Sequence, residues 1–229
     1  ADKLVRRLFL DVIGLPPTLD EQREFHEVYH SESPERAVQL ALDDLFGRKE
    51  FGEKWARHWL DVARYADSNG SDFNLTYQQA WRYRNYVIHA LNDDLPYDQF
   101  LQEQIAGDLL PYDTIEQRNR QLVATTFLMV GPKMLTERDK EKMRLDIADE
   151  QLDTISRVTM GLTLGCARCH DHKFDPIPTV DYYAMAGILH STRTTDGILM
   201  NNVNVSGWKE TDLLIDDDEK QQLEAFRLK

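Results

Sequence analysis

The chain has 229 residues, of which 41% are hydrophobic and 29% charged, and its formal net charge is −13 at pH 7. So acidic a chain is a poor partner for a nucleic-acid backbone, because binding that polyanion relies on lysine and arginine. No apolar run reaches the roughly 20 residues of a transmembrane helix, and no signal peptide opens the sequence, so we expect no membrane span.

The first half of the sequence predicts a series of amphipathic helices. Apolar residues recur every three or four positions, and caps such as the capping box from Thr18 to Glu21 mark where helices begin. Glycine and proline mark where they end. The predicted helices cover residues 3–13, 18–29, 34–46, 50–66, 78–92 and 97–107.

The helix predicted over 50–66 contains one candidate metal ligand. Its expected buried stripe consists of Trp55, Trp59, Val62 and Ala66. His58 falls at the border of that stripe. A histidine there is most often a hydrogen-bonded core residue, but it is also able to bind iron.

The stretch from Asp67 to Asp72 resembles the opening of a calcium-binding loop. Its glycine stands two places early, and Gln78 occupies the position of the bidentate glutamate. A turn that ends the preceding helix is therefore the default reading, with a bound calcium ion as the lesser alternative.

The second half continues the helical pattern. Helices are predicted over 115–127, 137–164 and 179–190, with loop or weak strand over 195–210 and a last helix over 216–229. The helix over 137–164 has one polar residue, Thr159, in a seam formed by Leu145, Ala148, Leu152, Ile155 and Leu162. We therefore predict an all-α, mainly helical, single compact domain over 1–195, followed by an irregular acidic tail or linker over 196–229.

Both cysteines of the chain lie in the segment Cys166-Ala167-Arg168-Cys169-His170. The spacing Cys-x-x-Cys-His is the attachment motif of a c-type haem, in which two thiols hold the porphyrin and the histidine binds the iron. Zinc is an alternative, held by Cys166, Cys169 and two of His170, His172 and Asp175. A redox disulfide is a further alternative.

Other residues are candidates for completing a haem site. The sixth iron ligand is a choice between an open position and one of His58, His172, Met129 and Met134. Arg82 and Arg84 are candidates for binding the haem propionates, because a guanidinium group pairs with a carboxylate through two bonds. Both arginines are also ordinary as stacking or salt-bridging residues. His172 is a candidate for supporting the iron ligand, for donating to a propionate or for binding a separate ion with Asp175, and a turn-stabilising role is an equal alternative.

Four segments resemble one protein family, and they occur in the expected order. They are residues 7–17, residues 57–70, residues 81–84 with 106–111, and residues 166–178 followed by 181–183. Over about residues 5 to 195, the chain resembles the planctomycete-type cytochrome domain PSCyt2 of the DUF1549 family. The resemblance implies a domain of a larger secreted bacterial protein, periplasmic or extracellular, beside other cytochrome-like modules.

We expect a single-haem c-type cytochrome domain that passes electrons to a redox partner protein or to neighbouring cytochrome domains. One alternative is a haem peroxidase or oxidoreductase, which needs an open iron site and a distal polar group such as His58, Arg57, Arg64 or Arg82. A zinc-holding structural module or a gas sensor is another. The sequence does not decide whether the chain is an enzyme.

Overall fold

The structure is a computed structural model that describes residues 1–71, 74–200, 203–218, 220–221 and 226. It confirms the prediction of a mainly helical chain. The helices are α1 Asp2–Val12, α2 Leu19–Ser31, α3 Pro34–Phe46, α4 Lys49–Val62, α5 Ala80–Asn92, α6 Tyr97–Ala106, α7 Ile115–Ala124, α8 Lys140–Met160 and α9 Thr179–His190. Short 3₁₀ turns cover Gly107–Leu109, Thr125–Leu128 and Leu164–Arg168. None of the described helices combines the length and the apolar character that crossing a membrane requires.

The chain divides into two compact units. The first contains Ala1–Asp61 and Arg84–Phe100, and the second contains Val62–Tyr83 and Leu101–Lys229. A single compact domain over 1–195 therefore stays a prediction.

Part of the predicted tail is ordered. Strands β1, Thr195–Met200, and β2, Val203–Trp208, pair antiparallel, with Thr195 opposite Trp208. Val205 is buried in a cluster of the second unit with Leu135, Met143 and Ile147. The expected weak strand is thus a hairpin, and the helix predicted over 216–229 lies largely outside the described residues.

The first unit is built on an apolar core from α1, α2 and α3. Phe9, Phe25 and Leu45 are among its buried members. The predicted capping box at the start of α2 is present, since Thr18 and Glu21 satisfy each other's backbone N–H groups. The apolar faces of these three helices pack together to form this core.

The predicted buried stripe of α4 was wrong. Its buried residues are Gly52 and Ala56, whereas Trp55 and Val62 are each 42% exposed. His58 is also exposed, and its ring lies 5.5 Å from that of Trp55. The small residues, rather than the large ones, form the packed face of this helix.

Gly52 explains why small residues are buried there. Its N–H donates to Asn92 Oδ1 at 2.8 Å, and a Cβ atom at this position would lie 2.5 Å from the carbonyl oxygen of Ile88. The backbones of α4 and α5 therefore approach each other closely at this glycine.

Helix α8 is shorter than predicted at both ends. Asp139 caps its first turn by accepting from two backbone N–H groups, and Gly161 ends it with a φ of 67°. In the predicted seam Ala148 and Leu152 are buried, whereas Leu145 is exposed. The cysteine motif therefore begins in a separate 3₁₀ turn, Leu164–Arg168, and is not carried on the end of the helix.

Candidate functional site

The candidate site is the cysteine segment, residues 165–175, which connects α8 to α9 in the second unit. It begins in the 3₁₀ turn Leu164–Arg168, where Leu164 and Ala167 are buried against Leu152 and Tyr182. The hydroxyl of Ser156 accepts from the N–H of Leu164 at 3.3 Å, which fastens the turn to α8. The backbone of the segment is therefore anchored, while other residues of the segment face solvent.

The two thiols are free and exposed. Side chains three positions apart eclipse each other in 3₁₀ geometry, and Cys169 continues the helical backbone with φ −106° and ψ −29°. Cys166 and Cys169 therefore lie on the same side of the turn. This is the arrangement that attachment to one edge of a porphyrin requires.

The imidazole of His170 is exposed and oriented by the backbone. Its Nδ1 lies 2.7 Å from the carbonyl oxygen of Asp171. A carbonyl oxygen only accepts hydrogen bonds, so Nδ1 carries the proton. In the neutral ring Nε2 then holds a lone pair, which is the usual state of a histidine that ligates a metal.

His172 uses both ring nitrogens within the turn. Its Nδ1 accepts from the N–H of Asp175 at 2.9 Å and from that of Phe174 at 3.3 Å, and its Nε2 lies 3.2 Å from Thr163 Oγ1. The side chain is only 5% exposed. These contacts support a turn-stabilising role. Binding iron or a propionate stays a prediction that would require breaking one of these bonds.

Arg168 anchors the cysteine segment to α8 through two ion pairs. Its guanidinium lies 2.7 Å from Asp146 Oδ1 and 3.1 Å from Asp149 Oδ2. The hydrogen bond to Asp146 is the main cause of the raised pKa of Arg168. Burial disfavours the charged form of Asp146, but hydrogen bonds from Lys142 and Arg168 outweigh burial and lower the pKa of this carboxyl.

Two further contacts involve α9, the first joining it to α8 and the second joining it to the cysteine segment. The Tyr182 hydroxyl donates to Asp149, while burial, followed by this hydrogen bond, raises the pKa of Tyr182. The Asp171 carboxylate accepts from the N–H of Thr179 at 2.8 Å and so caps α9. Sequence reasoning missed Asp146, Asp149 and Tyr182. The available signal was the three-residue spacing of the two aspartates on one face of α8.

Helix α9 presents an apolar face to solvent. We define the apolar face of α9 as its exposed residues at helical spacing, Val180, Tyr183, Ala184, Gly187 and Ile188. Val180 is 70% exposed, and the hydroxyl of Tyr183 donates to the carbonyl of Arg168 at 3.1 Å. Phe174, in the cysteine segment itself, is 82% exposed. Exposed apolar surface on α9 and in the cysteine segment is suited to contact with a flat apolar ring.

The remaining predicted residues belong to both units. Arg82 stacks on its neighbour Trp81 and binds Gln79, and Arg84 is exposed. Arg84 and His58 belong to the first unit, whereas Arg82, Met129 and Met134 belong to the second with the cysteine segment. Roles of these residues in haem binding stay predictions.

The predicted calcium loop has a structural role at its centre. The buried Asn69 donates to the carbonyl of Lys133 and accepts from the N–H of Leu75. Asp72 lies outside the described residues. Within the described ranges, no group of three or more histidine, cysteine, aspartate or glutamate side chains is arranged to hold a metal ion.

A family model described as a protein of unknown function (DUF1549), PSCyt2, matches residues 1–194. The chain belongs to this family. Its membership confirms the resemblance carried by the four sequence segments, and the match includes the whole cysteine segment of this PSCyt2 chain. No curated protein and no solved structure matches it.

Proposed function

We propose that this PSCyt2 chain is a single-haem c-type cytochrome domain that transfers electrons within a larger secreted bacterial protein. The observation that carries the proposal is the geometry of the cysteine segment. Cys166 and Cys169 are both exposed, one within a 3₁₀ turn and one directly after it, and the next residue, His170, has Nε2 available for a metal. The haem would supply an iron centre that alternates between the ferric and ferrous states.

The two thiols are suited to covalent attachment because both are reachable from solvent. In the proposed reaction each S–H adds across one vinyl group of the porphyrin. A carbon–sulfur bond forms, and the thiol hydrogen goes to the other vinyl carbon. His170 would then bind through Nε2, with its ring held by the bond between Nδ1 and the Asp171 carbonyl.

The surroundings of the segment support this assignment. Arg168 and its two aspartates fix the turn on α8, so attachment would not require the backbone to rearrange. Phe174 and the apolar face of α9 would exclude water from the bound macrocycle. An exposed attachment segment would also leave one edge of the cofactor near the surface, where a redox partner or a neighbouring cytochrome domain can approach.

A haem peroxidase or oxidoreductase is the second candidate, and one observation favours it. Both ring nitrogens of His172 make hydrogen bonds within its turn. The sixth iron position would therefore be filled by another residue or left open to a substrate. One of the predicted distal residues is unsuited to this role. Arg64 is paired with Glu150, 2.7 Å away in α8.

The test is expression with an added export signal in a host that has haem-ligation machinery. We expect a coloured protein whose intact mass exceeds that of the bare chain by one haem, with a reduced-minus-oxidised spectrum of c type. Replacing either cysteine by alanine should prevent normal two-bond attachment, and the double variant should have the bare mass. His170→Ala should keep covalent haem but alter the spectrum.

His30→Ala is the matched control, because His30 is an exposed histidine of the first unit. His58→Ala changes the spectrum only if His58 is a ligand.

Carbon monoxide binding to the reduced protein would favour the enzyme over the six-coordinate carrier. A colourless wild-type protein at the bare mass, obtained beside a correctly matured control cytochrome, would overturn the haem assignment. Binding of one equivalent of zinc would instead support the zinc-holding structural module.

A further inference from the structure

A cavity of about 180 Å³ lies in the second unit between α8 and the residues that follow α9. Its apolar floor is formed by Ile147, Ala148 and Leu189. The cavity is separate from the cysteine segment, none of whose residues line it. Its volume is several times the ~30 Å³ that a water molecule occupies in the liquid, so it has room for one small ligand.

The charge of the lining is unusual for this chain. The protein has a net charge of −13, yet Arg144, His190 and Arg193 line the cavity, and no aspartate or glutamate of the described chain does. Guanidinium groups bind carboxylates through two parallel hydrogen bonds. The cavity is therefore chemically suited to a negatively charged group.

One carboxylate of the protein already binds at the rim. Glu141 Oε1 lies 3.0 Å from His190 Nε2, and Glu141 Oε2 lies 4.0 Å from Arg144 Nη1. The glutamate is 61% exposed, so these pairs are weak and easily displaced. An external carboxylate of suitable shape would compete with Glu141 for Arg144 and His190.

The rest of the lining is rich in groups that bind hydroxyls. Four of the lining residues, Ser191, Thr192, Thr194 and Thr195, carry a side-chain hydroxyl, and a fifth, Gln151, carries an amide whose nitrogen donates to the carbonyl of Leu128 at 3.1 Å. The Ser191 hydroxyl donates to the carbonyl of Ile188 at 2.6 Å, so its oxygen remains able to accept from a ligand. A lining that combines hydroxyl-bearing and apolar residues matches the two kinds of surface of a sugar ring.

We propose that this cavity binds a small polyhydroxylated carboxylate, the chemical class of the sugar acids. The carboxylate would bind between Arg144 and Arg193, the hydroxyls would bind the serine and threonine side chains, and the C–H groups would lie on Ile147 and Leu189. This site is independent of the proposed haem, and its failure would leave the cytochrome proposal untouched.

The test is calorimetric titration of the full chain with sodium glucuronate. Two comparison ligands separate the parts of the proposal, since glucose has the ring without the charge and sulfate has charge without the ring. We expect glucuronate to bind at least tenfold more tightly than either. If glucose binds as tightly as glucuronate, the role of the arginines is overturned. If sulfate binds as tightly as glucuronate, the sugar-acid class is overturned. If glucuronate does not bind, the site itself is overturned.

Variants locate the binding. Arg144→Gln and Arg193→Gln should each weaken glucuronate binding about tenfold, because a hydrogen bond to a charged group is lost. Thr194→Val should weaken glucuronate more than acetate, which has no hydroxyls. Arg138→Gln is the matched control, since Arg138 is exposed in the same unit and does not line the cavity. Unchanged glucuronate affinity in both cavity arginine variants, with unchanged circular dichroism, would contradict the assignment.

Discussion

The core of the first unit and the cysteine segment of the second are stabilised by different forces. Helices α1, α2 and α3 bury a continuous apolar cluster in which Val5 and Leu45 have no exposed surface. The cysteine segment has a smaller apolar cluster and depends on Arg168, Asp149 and Tyr182 for much of its attachment. Phe174 in the segment and Val180 and Ile188 on the apolar face of α9 are exposed. The first unit buries large apolar side chains in a core of its own. The cysteine segment is instead an anchored turn with exposed apolar side chains, an arrangement that is suited to binding a cofactor.

The difference has an energetic consequence. Burying a large apolar side chain contributes about 1.5–3 kcal/mol, while a partly exposed ion pair contributes about 0–1 kcal/mol. We therefore expect the first region to respond to lost volume and the second to lost hydrogen bonds, salt and pH. Three experiments test this contrast.

The largest effect is expected in the first region. Leu45→Ala removes a fully buried side chain and leaves a cavity, so the free energy of unfolding should fall by about 2–5 kcal/mol. Leu40→Ala is the matched control in the same helix, where 39% exposure should limit the loss to under about 1 kcal/mol. Urea unfolding measures both. Equal losses would mean that burial does not govern the stability of this region.

A smaller effect is expected from one hydroxyl in the second region. Tyr182→Phe keeps the buried ring but removes the hydrogen bond to Asp149, and should cost about 1–2 kcal/mol. Tyr183→Phe removes an exposed hydroxyl whose partner is the Arg168 carbonyl, so about 0.5 kcal/mol is expected. Thermal unfolding compares the pair. If Tyr182→Phe has no effect, the polar attachment is not what stabilises the segment.

The smallest effect is a pH dependence. The folded pKa of Asp146 is below its ordinary value of 3.8, so the unfolded chain binds the proton more tightly. The stability that Asp146 provides is then present above pH 3.8 and is lost as the pH falls through the folded pKa. We expect the difference in unfolding free energy between wild type and Asp146→Asn to shrink below pH 3.8.

Arg168→Gln sharpens that measurement. Arg168 is one of the two cations that favour the charged form of Asp146, the other being Lys142. In the Arg168→Gln background, the pH-dependent part of the stability that Asp146 contributes should be reduced but not abolished. If the difference in unfolding free energy between wild type and Asp146→Asn does not vary with pH, the role given to this ion pair is wrong.

Local signals in the sequence predicted most helix positions well. The bounds of α9 agree with the structure, and α2 and α3 begin at the predicted caps. The hydroxyl of Thr159 donates to the carbonyl of Ile155 at 2.7 Å, as expected for a helical threonine. Such features depend on residues within one turn of each other, which is why the sequence reveals them.

Features that depend on tertiary packing were missed. The buried face of α4 follows from a close backbone approach at Gly52, which a pattern of large apolar residues cannot indicate. The pairing of Arg168 with Asp146 joins residues 22 positions apart, outside the reach of any helical period. The spacing of Cys166, Cys169 and His170 predicted the motif. It could not predict the residues of α8 that hold the turn in place.

The close approach at Gly52 bears on protein engineering. Exchanging a helical glycine for alanine is a common way to make a helix more rigid, because alanine has less conformational freedom to lose on folding. Here the added methyl group would collide with the carbonyl oxygen of Ile88 and push the two helices apart. Consensus or propensity-based redesign of this chain should therefore leave residue 52 unchanged.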